Sequence, residues 1–258
     1  MKRRICVAAL AAWGLLGTLA GSPGSSAPKK IRVLLVTGQN NHNWKETSPH
    51  LEQFLESTGR FDLETTENPA ATLADKEKLK NVDVLLLNYN GQRWGEPAET
   101  NFLDAVRGGV GVSVIHAANN AFPGWTEYEK LVGITWRATA GHGAYHEFAV
   151  KYRVKDHAIT RGLQDLAGHP DELYHGLTPA PNEPMTILAS AFSDKAKGGT
   201  GKDEPMALVK SYGKGRVFHT PMGHDLRAMK DPAFMLLTAR GTEWAATGKV
   251  TVKEVPAQ

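Results

Sequence analysis

The residues able to do chemistry in this 258-residue sequence are chiefly its ten histidines, joined by a few carboxylates, amides and tryptophans. Several fall in short polar runs: Gly38-Gln39-Asn40-Asn41-His42-Asn43-Trp44, then His116 with Asn119 and Asn120, Gly141-His142-Gly143-Ala144-Tyr145-His146, Asp171-Glu172-Leu173-Tyr174 and Gly223-His224-Asp225. Imidazole changes charge near neutral pH and is a common metal ligand, so such runs suit acid/base or metal-assisted chemistry. A single histidine at a strand end, such as His116, is more often a hydrogen-bonded support, so the signal is the number of polar runs rather than any one of them.

His142 and His146 lie four apart and would share a helix face. The flanking glycines and the alternating pattern after them argue against a helix, so this spacing alone does not specify zinc. In Gly223-His224-Asp225 the glycine permits close backbone approach and the aspartate can orient the imidazole. Glu172 could be a general base, a ligand or part of a solvated acidic turn. His157, His169 and His175 read as surface or loop residues, and His50 as lying on the exposed side of a helix.

Other chemistries are excluded. There is no Gly-x-Ser-x-Gly elbow, Walker loop or Gly-x-Gly-x-x-Gly after the first strand, so no nucleotide cofactor is expected. Gly198-Gly199-Thr200-Gly201-Lys202 has the wrong spacing for a phosphate loop.

The elements that must position these groups are legible as patterns. Ile31–Thr37, Val82–Asn88 and Val110–His116 are near-continuous apolar runs, as expected of strands buried on both faces of a parallel sheet. Between them, Ser48-Pro49 reads as a helix start with Gly59 after its end, and Pro97–Arg107 as a helix stopped by Gly108-Gly109. Thr126 with Glu129 reads as a capping box, and Asp231-Pro232 as the start of the last helix. From His146 to Val154, apolar and polar residues alternate as in a half-buried strand; Met185–Phe192, Met206–Tyr212 and Val217–His219 are further strands. The expected fold is one doubly wound α/β domain, mainly parallel, with inserted antiparallel strands. In such sheets ligands bind beyond the carboxyl ends of the strands, which selects the loops after Thr37, Asn88, His116 and His219.

Residues 1–27 read as a signal peptide: Lys2, Arg3 and Arg4 precede the apolar run Ile5–Leu19, with cleavage after Ala20 or Ala27. The run is shorter than a membrane span, which needs about 20 apolar residues, so no stable span is expected after cleavage. The formal charge of +3 belongs to this leader, whose loss leaves 27 basic against 27 acidic residues and removes the single cysteine. The expected mature domain, residues 28–258, is neutral and thiol-free, periplasmic or secreted, with no compositional case for nucleic acid.

Val36-Thr37-Gly38 with His42-Asn43-Trp44, Ile115-His116-Ala117-Ala118-Asn119, Trp125-Thr126-Glu127-Tyr128, Gly141-His142-Gly143, Asp171-Glu172-Leu173-Tyr174, Gly213–Phe218, Gly223-His224-Asp225 and Arg240–Gly248 together resemble the ThuA-like (trehalose-utilisation) family over residues 31–248. The resemblance implies a flavodoxin-like fold related to class I glutamine amidotransferases. It also implies a role in carbohydrate use, on keto-sugars or keto-glycosides made by a partner sugar dehydrogenase. His116 stands where the amidotransferase nucleophilic cysteine would be, and His219 near its catalytic histidine, so amidotransferase chemistry lacks its thiol.

On this reading His116, His142 and His224, with Asp225 or His146, gather around a divalent metal, zinc first, that binds a sugar carbonyl. Glu172 or a free imidazole moves the proton, so His116, His224, Asp225 and Glu172 are the catalytic candidates. His42, Trp44, Asn90, Asn119, Trp125 and Tyr145 are the candidate sugar contacts. Core packing is the competing fate of these aromatics and of Trp94. The rival readings are a non-catalytic sugar-binding protein and a metal-free hydrolase or isomerase using imidazole acid/base pairs.

Overall fold

The computed structural model describes residues 29–256; the leader assigned to residues 1–27 lies outside the described residues. In chain order, β1 (Ile31–Val36) leads to α1 (Trp44–Ser57) and β2 (Phe61–Thr66). Two short helices, α2 (Pro69–Ala74) and α3 (Lys76–Leu79), precede β3 (Val84–Leu87), α4 (Ala98–Gly108) and β4 (Gly111–Ile115). A 3-10 turn at His116–Asn120 follows, then α5 (Thr126–Val132) and the two-residue strands β5 (Ile134–Thr135) and β6 (Gly141–His142). Next come β7 (His146–Tyr152), β8 (Leu166–Asp171), β9 (Tyr174–His175), β10 (Thr178–Pro179), β11 (Thr186–Phe192) and β12 (Asp203–Tyr212). β13 (Gly215–Thr220), α6 (Leu226–Met229) and α7 (Pro232–Thr247) complete the order.

The main sheet runs β2-β1-β3-β4-β13-β12-β11-β7-β8. Its first five strands are parallel, in the flavodoxin-like order, and the rest pair antiparallel. The fold is therefore the expected doubly wound, amidotransferase-like α/β sheet. Four reversals after β13 return β8 to the direction of the parallel strands, so its carboxyl end shares their edge. Register shifts in the β11–β12 and β7–β8 pairings mark bulges, which bend strands. Asp171 at the end of β8 meets the loop after β13.

Strand alternation makes two cores. Ile31, Val33 and Leu35 of β1 face Leu51, Phe54 and Leu55 of α1 and Phe234 and Leu237 of α7. Leu34 and Val36 face the opposite cluster, with Phe102 and Val106 of α4 and Tyr128 and Leu131 of α5. Each such leucine or phenylalanine contributes on the order of 1.5–3 kcal/mol by leaving water. No helix among the described residues is long and apolar enough to cross a membrane.

Several local readings are corrected. The first long helix begins at Trp44, which places Ser48 and Pro49 inside it. Ser48 Oγ is 2.7 Å from Thr37 Oγ1 and accepts from Asn88 Nδ2 at 2.9 Å, a buried polar tie that a sequence cap rule does not register. His50 is buried, its Nε2 3.2 Å from Met229 O. Trp125, not Thr126, occupies the cap position of α5, and Glu129 instead accepts from Gly124 N and Arg137. β8 carries no alternation strong enough to read from sequence, since its buried residues are His169 and Asp171.

Candidate functional site

His116 follows the last residue of β4, where the chain turns into the 3-10 segment with a backbone φ of 45°. A non-glycine residue in the left-handed region costs on the order of 1–3 kcal/mol, and such strain gathers at functional sites. The side chain is fully buried. Its Nδ1 lies 2.6 Å from Pro221 O, so that nitrogen carries the proton and Nε2 is left as a bare acceptor with no hydrogen-bond partner. Tyr174 packs against the ring at 4.1 Å.

Three other donors surround that orphaned nitrogen. His42 comes from the loop after β1, which turns at Gly38 (φ 108°), where a Cβ would meet Glu67 O at 2.3 Å. His42 N and Nδ1 both approach Asn40 Oδ1, at 3.1 and 3.2 Å, leaving Nε2 free, and Asn40 Nδ2 in turn donates to Asn88 Oδ1. His224 follows Gly223, whose φ of 111° favours glycine and where a Cβ would press on the Phe234 ring at 3.1 Å. Glu172 follows β8. One potential ligand atom from each of His42, His116, Glu172 and His224 lies within 4.8 Å of all the others. The rings of His42 and His116, and of His42 and His224, meet edge to face at 4.7 Å.

Electrostatics suit such a donor set. Burial, reinforced by His224, pushes His42 down to about 4, and burial with His42 pushes His116 well below the usual imidazole range. Both rings are therefore neutral near pH 7, with a lone pair available. Burial pushes the Glu172 carboxyl up, but His224, His142 and His42 more than offset it and leave it below the usual range. Glu172 Oε2 is 2.9 Å from His224 Nδ1, yet outside hydrogen-bonding geometry, and the Glu172 carboxylate raises the His224 pKa. Two neutral imidazoles, with a third imidazole paired to a carboxylate this close by, can hold a divalent ion.

The other candidates are distributed differently. His142 is exposed, its Nδ1 2.8 Å from Gly143 O and 3.6 Å from Glu172 Oε1, beside the donor set but not in it. His146 stays at the start of β7 with Nδ1 on Ala144 O; of His116, His142, His146 and His224, the cluster brings together His116 and His224, with His42 and Glu172 beside them. Asp225 does not orient His224. Its Oδ1 caps α6 through Ala228 N and accepts from the Tyr145 hydroxyl, which also donates to Pro170 O. Trp125 packs inside a cluster with Trp94, Phe122 and Tyr128, and Asn119 is buried with Nδ2 against His219 Nε2, so neither offers a surface to a sugar. Asn90 donates to Asn41 Oδ1 within the first loop. Trp44 is half-buried under Lys45 at the start of α1, lining a pocket of about 210 Å³ with Ser48, Pro49 and Glu52. His219 is buried, its Nδ1 on Val132 O.

Three residues that shape the site were given no role from the sequence. Asn40 fixes His42. Trp136, half-buried, stands 4.5 Å from Tyr174 and 6.0 Å from His142, beside the donor set. Asp171, fully buried, accepts from the backbone N–H groups of Glu172, Gly223 and His224. His169, expected at the surface, is buried against it. Asn40 and Asp171 stand in runs the sequence singles out, but nothing in those runs marks them apart from their neighbours.

No curated protein sequence matches the chain. Among solved structures, it is similar to a ThuA-like protein from Parabacteroides merdae ATCC 43184, 35% identical with a TM-score of 0.79, over 88% of this chain and 94% of that one. A ThuA-like protein from Bacteroides uniformis ATCC 8492 shares the fold at 19% identity and TM-score 0.71, over 91% and 98% of the two chains. The glutaminase domain of Trypanosoma brucei CTPS, with bound acivicin, shares it more distantly, at 11% identity and TM-score 0.50, over 88% and 98%. The family described as trehalose utilisation matches residues 32–245. The chain belongs to this ThuA family, whose description points to carbohydrate use.

Proposed function

We propose that this protein is an exported, metal-dependent enzyme acting on oxidised sugars, keto-sugars or keto-glycosides, with His42, His116, Glu172 and His224 holding a divalent ion. The observation that carries the proposal is the buried His116 Nε2, which has no hydrogen-bond partner and shares its surroundings with three other donors. Leaving a buried polar atom unpaired costs about 1–3 kcal/mol, a cost that coordination removes. Three imidazoles and one carboxylate suit zinc. A bound ion of this kind would polarise a substrate carbonyl and stabilise negative charge developing on its oxygen.

The chain's own residues supply the rest. Pro221 O and Asn40 Oδ1 hold the protons of His116 and His42 on Nδ1, fixing which nitrogen faces the centre. His142, outside the donor set and exposed, is the imidazole free to take up or release a substrate proton. Trp136 beside it offers an aromatic face to a pyranose ring. Support for export is the basic and apolar pattern of residues 2–19. A keto-sugar substrate requires a supplying sugar dehydrogenase, the partner this reading implies.

The test compares a keto-glycoside with its parent glycoside as substrates for the purified mature protein. Turnover of the keto form alone, lost on chelation and in His116→Ala, is the expected result. Equal turnover in chelated, variant and untreated protein would overturn the assignment. Binding of unmodified sugars without turnover would favour a binding protein.

A further inference from the structure

Beneath the donor set lies a buried chain of ionisable groups that no step above uses. His169 and Asp171 are fully buried. His169 Nε2 is 3.1 Å from Asp171 Oδ2, and its Nδ1 is 3.0 Å from Asp231 Oδ2. Carboxylates only accept, and a neutral imidazole has one N–H, so both contacts are hydrogen bonds only when His169 is an imidazolium. Asp231 is anchored in turn: its Oδ1 caps α7 through Ala233 N at 2.8 Å, where the helix N-terminus favours negative charge. Phe148, edge-on at 5.6 Å, and Phe234, stacked at 6.3 Å, pack against the imidazole.

The far end of this chain reaches the site. Besides His169, the Asp171 carboxylate accepts from Glu172 N at 2.7 Å, Gly223 N at 2.6 Å and His224 N at 3.2 Å. Two of those three amides belong to residues whose side chains supply donors, and the third to the glycine between β13 and His224. Burying two aspartates and an imidazolium is costly, and an apolar cluster of equal volume is often as stable, so burial alone does not account for the arrangement.

We propose that Asp171, His169 and Asp231 form a positioning relay in which a cationic His169 clamps Asp171 to the head of α7, and Asp171 fixes the backbones that aim Glu172 and His224 at a common ion. The relay rests on the metal reading for what it serves, while its hydrogen bonds stand without it. Burial works against the charge on His169, but the two carboxylates outweigh it and raise the group to about 9, so the clamp is closed at neutral pH. All three are positioning residues and act through the backbone of the ligands.

The test uses the full chain with His169→Gln, whose single amide nitrogen cannot bridge two carboxylates on opposite sides, and Asp231→Asn, which keeps the shape and stands in should the first fail to fold. Zn²⁺ titration should show affinity lowered about 10–100-fold in either variant, the usual effect of losing an outer partner of a ligand. Amide hydrogens of Gly223 and His224 should exchange at least about tenfold faster, with those of β1 and β4 unchanged. The ¹⁵N shifts of the wild-type His169 ring at pH 7 should report two protonated nitrogens. A singly protonated ring, or unchanged affinity and exchange in a folded variant, would overturn the relay. Should wild type bind no Zn²⁺, the metal reading fails, and the exchange and ¹⁵N measurements still decide the relay.

Discussion

At the scale of single residues, the account turns on which nitrogen of each histidine is committed. His116 and His224 were legible because they follow strands readable in the sequence, where an open parallel sheet places its ligands, whereas Glu172 was a candidate by residue type alone because its strand β8 was not read. His42 was legible as a site residue, but its place among the donors depends on Asn40, and the choice between His42 and His142 is made by loop geometry. Asp171 was visible only as a member of an acidic run, since its role depends on bonds to amides 52 and 53 positions away as well as to its neighbours. The aromatics separate by burial. Trp125→Ala should cost about 3–5 kcal/mol in denaturant unfolding, as expected for a large side chain deleted from a packed cluster. Zn²⁺ stoichiometry of the folded variant should be unchanged. Asp225→Ala should cost about 1 kcal/mol, the loss of a helix cap, and leave Zn²⁺ affinity close to wild type. A large loss of affinity there would restore Asp225 to the site.

At the scale of elements, the strands were read well and the helix starts unevenly: Asp231-Pro232 opens α7 as expected, whereas Ser48 and Thr126 do not start theirs. Apolar runs bury on both faces and announce themselves, whereas a cap is chosen by competition among neighbouring polar residues. Ser48-Pro49 has the composition of a start, yet Ser48 is claimed by Thr37 and Asn88. That tie joins the ends of β1 and β3 to α1 beneath the loop that carries His42. Asn88→Ala would remove the donor serving Thr47 Oγ1 and Ser48 Oγ and an acceptor of Asn40. The expected cost is about 1–3 kcal/mol, read by chemical denaturation, together with faster amide exchange at His42. β8 escaped because its inward residues are polar, and their partners come from α7 and the loop after β13.

At the scale of the whole molecule, the expected mature chain is formally neutral, so its pH dependence should follow a few buried groups rather than net charge. His169 is raised to about 9 by its two carboxylates against the pull of burial. Its stabilisation is fully present below the ordinary imidazole value of about 6.5 and is lost as pH rises through about 9. His219 is lowered to about 4 by burial, so the unfolded chain takes up a proton first and stability falls as pH drops from about 6.5 through 4. Thermal unfolding across this range should therefore show greatest stability near pH 6.5. The alkaline decline should flatten in His169→Gln, and an identical decline in that variant would refute the assignment.

The central claim is that four side chains from four separate loops converge on one divalent ion. The direct measurement is the Zn²⁺ content and affinity of the mature protein beside His116→Ala and Glu172→Gln, with folding checked by circular dichroism. The account predicts one ion per chain in the wild type and at least about a tenfold loss of affinity in each folded variant. A wild type that binds no divalent metal, or variants that bind it as well as wild type, would contradict it.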